Sequence, residues 1–274
     1  MLPSRKRRTR SLAALCAALI GLVPLPALAA GPQDLIDNKG CPNCDLRLQE
    51  LRELTIQAPN FERTILREAD LKEANLIEGN FRNADLRRAE LERAKLHYGD
   101  FSRASMRGVD MEKAVLTGAN FTGADLRDAD LNETELSGAD FTRADLRHAS
   151  FIRAIAPNAI FKDAKMDNVD LERVDLSGAD FSGARLPNSD LDRVFARGSN
   201  FESADLSGVR LSSADLTGAN LRNANLDGAL LRYTRLAGAD LTDAKGLDPK
   251  RIMGACRDAD TKLPAGITLE TCGQ

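Results

Sequence analysis

An apolar residue recurs at every fifth position from Leu46 to Leu241, and the phase never slips. The series runs Leu46, Leu51, Ile56, Phe61, Leu66, Leu71, Leu76, Phe81 and onward, forty positions in all, of which only Ala156 and Ala196 are small. Two residues before most of these centres stands Ala, as at Ala69, Ala84, Ala124, Ala144, Ala204 and Ala224. The residue between is usually Asp or Asn, and two polar residues follow the centre. A period of five fits neither the helix, which repeats about every 3.6 residues, nor the strand, which alternates. Repetition this regular predicts a solenoid, in which each unit is buried only by its neighbours.

A second period lies on the first. Phe61, Phe81, Phe101, Phe121, Phe141, Phe161, Phe181 and Phe201 are spaced by twenty, and Leu221 and Leu241 continue the column. Twenty residues are four units, so the pattern predicts a four-sided coil with one Phe per turn stacked on one side. Rings of equal size fill such a wall without voids. With strand-like spacing of about 4.8 Å per coil, about ten coils make a rod of roughly 48 Å. Gly118, Gly138, Gly178, Gly198, Gly218 and Gly238 also fall on the grid of twenty. They predict a turn whose backbone angle other residues resist. Pro157 and Pro187 follow centres directly, which suits the second position of a turn.

These residues resemble the pentapeptide-repeat family, over roughly 200 residues in unbroken phase. The resemblance implies an all-β fold, a right-handed quadrilateral β-helix of about ten coils with the centres and Ala positions inside, and short capping segments at both ends. The expected organisation is a leader over 1–29, an N-terminal cap over 30–45, the β-helix over 46–245 and a C-terminal cap over 246–274.

The leader carries Arg5, Lys6, Arg7, Arg8 and Arg10, then a mostly apolar run from Ser11 to Pro26, then Ala27-Leu28-Ala29. That is the three-part pattern of a secretory signal peptide cleaved after Ala29. Arg10 and Ser11 stand where a twin-arginine signal would be apolar, and Cys16 lies mid-run rather than at a lipid-attachment site. No other apolar run is long enough to span a bilayer, so the expected location is the periplasm or outside the cell. Cleavage removes five basic residues and no acid, which leaves 33 basic against 41 acidic, a net charge of −8. That balance argues against a general nucleic-acid binder, which needs a basic face.

Four cysteines remain in the exported chain. Pro32 to Gly40 predicts a short helix closing the first coil, since an open solenoid end exposes core and strand edge. Cys41-Pro42-Asn43-Cys44 follows and runs into Asp45-Leu46, an opening similar to that of family members. Nothing around it reads as a thioredoxin-like unit or a second half of a zinc site. At the other end, Asp248-Pro249 predicts a helix to Ala255, and Cys256 and Cys272 bracket a loop. Bridged Cα atoms lie within about 7 Å, so a long rod leaves only Cys41–Cys44 and Cys256–Cys272 as pairings within the chain. Whether the first, a tight ring, is oxidised stays open in the sequence.

Outward positions also stack. Arg67, Arg87, Arg107, Arg127 and Arg147 form one column, with Asp70, Glu90, Asp110 and Asp130 three residues after the first four. The expected reading is a compensated ladder on a solvated face, the alternative an anion-binding stripe. Val115, Ile155 and Phe195 occupy the position before the centre that is normally Asp or Asn, and Ile152 and Ile160 lie near the middle one. Ile155 and Phe195 precede the two small centres, so they are expected to turn inward and replace the missing volume. The alternative is a partner patch of Val115, Ile152, Ile155 and Phe195.

No catalytic, cofactor or metal constellation emerges. His97 and His148 lie on different sides of the coil, the carboxylates follow the repeat, and glycine serves only as turn punctuation. The expected function is a non-enzymatic exported scaffold, without cofactor, that offers a rigid surface to a protein or envelope partner. Two alternatives stand beside it. A branch of the family protects DNA gyrase by imitating DNA, which the acidic rod allows and the leader and Arg column oppose. A thiol oxidoreductase would use Cys41 and Cys44. The resemblance also allows an end-to-end homodimer, which the C-terminal cap opposes.

Overall fold

The structure, a computed structural model, describes residues 31–273, so the leader and its cleavage site lie outside it. Each five-residue unit builds one corner of a spiral. The centre of a unit is buried, its next two residues turn, and the fourth returns inward. At Leu51 the N–H of Leu54 donates to the Leu51 carbonyl at 3.2 Å, and Glu53 between them has φ +55°. A closing hydrogen bond with positive φ at the third position is the signature of a type II turn. The residue before the centre supplies the turn's other fixture. Its Asp or Asn oxygen accepts the N–H two residues on, as Asp70 does from Lys72 (3.2 Å) and Asp140 from Thr142 (2.8 Å). Short side chains that bond their own backbone in this way specify turns, which is why this position is so often Asp or Asn.

Turns stack at a fixed offset of twenty. Parallel bridges join Asp45 to Ile65, Glu50 to Asp70, Thr55 to Asn75 and so on to Asn225 with Lys245. Around each bridge the bonds run both ways: Leu51 N–H donates to Asp70 (2.7 Å), Glu53 to Lys72 (2.9 Å), and Asp70 N–H to Gln49 (2.9 Å). Each strand is a single bridged residue, because the next turn begins at once.

The core is a column of side chains. Centres and inward Ala residues are almost all fully buried. The Phe rings from Phe61 to Phe201 stack with centroids 4.7–5.4 Å apart and planes within 24°. Where Thr or Ser replaces inward Ala, its hydroxyl bonds a backbone carbonyl, as Thr134 does to Leu131 at 2.6 Å. Burial of a hydroxyl is tolerated only with such a partner.

Ile155 and Phe195 do not turn inward; they are 49% and 54% exposed. A bridged residue in this spiral points its side chain out, and both are bridged. The space beside Ala156 is taken from the adjoining side instead. Phe151 stands in a column that elsewhere carries mostly Leu, and sets its edge against Phe141 and Phe161 at 6.0 and 6.1 Å, with planes at 82° to both. At Ala196 the inward residue two before is Val194, buried and bulkier than the usual Ala. The exchange of volume within one coil is testable. Ala156→Leu alone is expected to cost about 1–3 kcal/mol by overpacking. Combined with Phe151→Leu the cost should fall, a double-mutant coupling of at least about 0.5 kcal/mol by urea denaturation.

Both ends are closed. Helix α1 (Pro32–Asp37) is shorter than the segment to Gly40 that the sequence suggested, and it buries Leu35 against the first coil. Gly40 follows at φ +109°, where a Cβ would lie 2.3 Å from the Asn60 carbonyl oxygen, so no other residue fits. At the C-terminus the expected helix over Pro249–Ala255 is only a 3₁₀ turn, Pro249–Arg251. The chain then winds a further, irregular coil, with Arg235 bridged to Cys256 and Asp240 to Lys262, offsets of 21 and 22. Strand β1 (Cys256–Arg257) pairs in parallel with β2 (Glu270–Thr271), which covers the last edge. Among the described residues no helix is long and apolar enough to cross a membrane.

Candidate interaction surface

The four cysteines among the described residues sit in two disulfides, one at each end of the spiral. Cys41–Cys44 has its Cα atoms 5.6 Å apart and spans one corner of the first coil. Cys44 N–H bonds the Cys41 carbonyl at 3.4 Å and Asn43 has φ +63°, the geometry of the other units. The pair thus occupies a centre and an inward position, not a helix start. Cys256–Cys272, with Cα atoms 4.7 Å apart, ties the last segment to β1.

The Arg column is compensated, but by different acids from those suggested by the sequence. Arg87, Arg127 and Arg147 each fork onto the Asp two residues before, with Nε bonds of 2.7–2.8 Å to Asp85, Asp125 and Asp145. Where that position holds Ile65 or Ser105 the guanidinium reaches elsewhere, Arg67 to Asp85 at 2.9 Å and Arg107 to Asp128 at 2.9 Å. The hydrogen bond from Arg87, with another from Arg67, holds the Asp85 carboxyl at about 2. The acids three residues on belong to another column. Asp70 pairs with Arg52 and Glu90 with Lys72, while Asp110 and Asp130 have no ion pair among the described residues. A groove of about 560 Å³ runs between Arg67, Arg87, Arg88 and Arg107, with Glu68 and Asp128 in its walls.

The opposite side is different in kind. Its centres run from Ile56 through Leu116, Leu136, Ala156, Leu176 and Ala196 to Leu236. From Thr117 to Gly238 its two solvent positions hold one charged residue, Arg197, which donates to Asp215 at 2.7 Å. The third turn position is glycine at Gly118, Gly138, Gly178, Gly198, Gly218 and Gly238. Glycine is not required by the turn, contrary to the sequence expectation. Tyr98 holds the same angle at +57° and Lys113 at +59°. Nor does crowding demand it at Gly138 or Gly198, where a Cβ would meet nothing within 4 Å. The glycines keep this side flat. Along one edge lie Ile155, Phe195 and the half-buried Val115; Ile160, 36% exposed, lies on the other. Ile152 is half-buried on the neighbouring side. His97 belongs to the flat side and His148 to the Arg side, so the two do not meet.

The chain matches a model of a pentapeptide repeat region over residues 64–141. It matches a second model, of pentapeptide repeats in eight copies, over 134–173, 175–212 and 210–245. The chain belongs to the pentapeptide-repeat family. For a member of this family the spiral is a right-handed quadrilateral β-helix. No curated protein matches the chain. Among solved structures it is similar to HetL, a pentapeptide repeat protein involved in heterocyst differentiation regulation from the cyanobacterium Nostoc sp. That likeness has 29% identity and a TM-score of 0.36, and covers 76% of this chain and 86% of that one. It is similar at 14% identity and a TM-score of 0.36 to QnrB1, a plasmid-mediated fluoroquinolone resistance protein, over 76% of this chain and 92% of that one. A pentapeptide repeat protein from the thylakoid lumen of Arabidopsis thaliana matches at 31% identity with a TM-score of 0.14, over 45% of this chain and 72% of that one. Pentapeptide-repeat proteins are generally structural or interaction proteins.

Stacked like charges are a cost that this repeat carries along its acidic columns. Burial beside Asp110, together with the neighbouring Glu92, raises its carboxyl above the usual carboxylate range. A raised acid is penalised once ionised, so the penalty is absent below the unfolded value and grows as pH rises through the folded one. Asp110→Asn keeps the bond now made from Glu112 N–H at 3.0 Å, as Asn120 does for Thr122 at 3.0 Å. It is expected to add a few tenths of a kcal/mol at pH 7, a small figure because the site is largely solvated. The gain should vanish below about pH 3.9. Urea denaturation of both proteins across pH 3–7 checks it.

Proposed function

We propose that the protein is an exported, non-enzymatic scaffold, a rigid rod of about ten coils that offers a surface to a protein partner in the cell envelope. The observation that carries this is the flat side, with Arg197 as its one charged solvent residue from Thr117 to Gly238 and with Ile155 and Phe195 exposed at its edge. Exposed apolar groups on a flat ground mark interaction sites. A rod stacked by backbone bonds and rings holds such a surface in fixed shape, which lowers the ordering cost of binding. The basic, apolar and Ala-rich leader supports export. The paired Arg–Asp column interrupts the continuous negative face that imitation of DNA would need. The Cys41–Cys44 pair, set in a β-corner, lacks the helix N-terminus that activates a redox thiol.

The experiment is fractionation followed by capture. The processed protein should appear in the periplasm or medium with Ala30 as its first residue. Immobilised there, it should retain an envelope protein that Ile155→Asp/Phe195→Asp does not. Cytosolic full-length protein, or no retained partner in any envelope fraction, would contradict the proposal.

A further inference from the structure

We infer that the flat side around Pro157 is a docking site for a basic amphipathic α-helix of another protein; this rests on the interaction-scaffold reading and names the chemistry of the partner.

At Ile155 the backbone itself frees the side chain for this role. In most units the residue before the centre must be Asp or Asn, because its oxygen accepts an N–H two residues on. Pro157 has no N–H, so the position held by Ile155 has no such duty. Ile155 bridges Glu135 and Asp175 through its backbone, and its side chain stays half exposed. On the far edge the side-chain ladder of Asn and Asp, as in Asn120 to Asp100 at 3.2 Å and Asn200 to Asp180 at 3.0 Å, is broken at Ile160. Ile155 and Ile160 therefore flank Pro157 on one coil, and Phe195 stands two coils along the same edge as Ile155.

Charge defines the partner. Glu135 and Asp175 precede and follow Ile155 in its column, and Asp140 and Asp180 precede and follow Ile160 in the other. None of these four carboxylates forms an ion pair among the described residues, in contrast to the Asp residues beneath the Arg column. Apolar side chains interleaved with four uncompensated acids, Asp175 lying between Ile155 and Phe195, select a partner whose apolar side chains alternate with Lys or Arg. A second copy of this chain would set the same acids against themselves, and an anionic membrane surface would be repelled.

Spacing defines the form. Coils are about 4.8 Å apart, so Ile155 and Phe195 are separated by roughly 9.6 Å along the rod. A helix lying along the rod repeats a side chain every seven residues, about 10.5 Å. A strand repeats on one face about every 6.8 Å and fits poorly. Gly138 and Gly198, where a Cβ would meet nothing within 4 Å, leave room for the helix backbone to approach.

The probe is a fluorescein-labelled synthetic helix with Leu at every seventh position and Lys on both flanks. Its controls are a scrambled sequence and a Glu-for-Lys version. Fluorescence anisotropy with the mature, oxidised protein should show binding that Ile155→Asp/Phe195→Asp weakens at least tenfold, with unchanged circular dichroism. Glu135→Lys/Asp175→Lys should weaken it similarly and recover binding with the Glu version. Gly138→Gln/Gly198→Gln blocks the flat floor without altering charge, and the fold admits it, since Gln occupies the place that Lys113 fills elsewhere. It should also weaken binding at least tenfold. Equal binding by the scrambled peptide, indifference to all three variants, or no binding up to about 1 mM would overturn the inference. A partner retained from the envelope by wild type and patch variants alike would overturn it too, while leaving the scaffold reading in place.

Discussion

Phe141→Ala is expected to remove about 3–5 kcal/mol of folding free energy, the range for deleting a buried aromatic ring. Phe141 is fully buried and stacks on Phe121 at 4.7 Å and on Phe161 at 5.0 Å, and it meets the edge of Phe151 at 6.0 Å. Backbone bonds hold the coils above and below it at their spacing, so the walls have little freedom to collapse into the void. Phe141→Leu should cost only about 1–2 kcal/mol, because Leu221 and Leu241 already serve in the same column. The position of the defect matters as much as its size. In a solenoid each coil is stabilised by its neighbours alone. A hole in the middle should therefore uncouple the two halves and turn one denaturation transition into two or one broad one. A loss below about 1 kcal/mol for Phe141→Ala, with a single sharp transition, would show that the rings do not carry the core.

Cys272→Ser, with Cys256→Ser to avoid a lone thiol, is expected to cost about 3 kcal/mol if chain entropy governs the bridge, whose partners are 16 residues apart. The loss should be local. β2 is held by two residue pairs to β1 and by Cys272 N–H to the Arg257 carbonyl at 2.8 Å. Without the bridge, β2 should open first and expose the irregular coil that follows Lys245. Hydrogen exchange should quicken from Arg235 to Lys262 and stay unchanged at Phe121. The same double substitution at Cys41 and Cys44, three residues apart, closes a shorter loop and should cost less, about 2 kcal/mol.

Which parts of this molecule could be read in the sequence follows from what the spacing encodes. The centres and inward Ala residues repeat with the backbone, so their burial was visible as a period. The turn geometry was visible only in part. Gly138 suggested a backbone requirement, yet every unit has the same positive φ and most fill it with other residues. The distribution of glycine by side carried the information, and it concerns surface relief. The small centre Ala156 is not refilled by its chain neighbour Ile155, which stays half exposed. A bridged residue points outward, and the signal for the true filler was Phe151, a Phe ten residues out of the Phe register. A local effect sets the Arg pairs. The Asp that caps the turn from before the centre lies beside the side chain just after it, closer than the acid round the next corner. The C-terminal coil loses the period of twenty, so its continued winding was hidden.

The fold rests on one full turn per twenty residues, and a spin-label ruler tests that most directly. Arg82, Glu202 and Thr242 hold equivalent outward positions on one side, six and eight turns apart. In protein made without residues 1–29, which carry Cys16, the other four cysteines are in disulfides, and introduced thiols at 82/202 and 82/242 accept labels alone. Pulsed electron resonance should give about 29 Å and about 38 Å, growing by about 4.8 Å for each twenty residues. Distances that fail to grow along this series, or that grow with any other period, would contradict the fold and every surface derived from it.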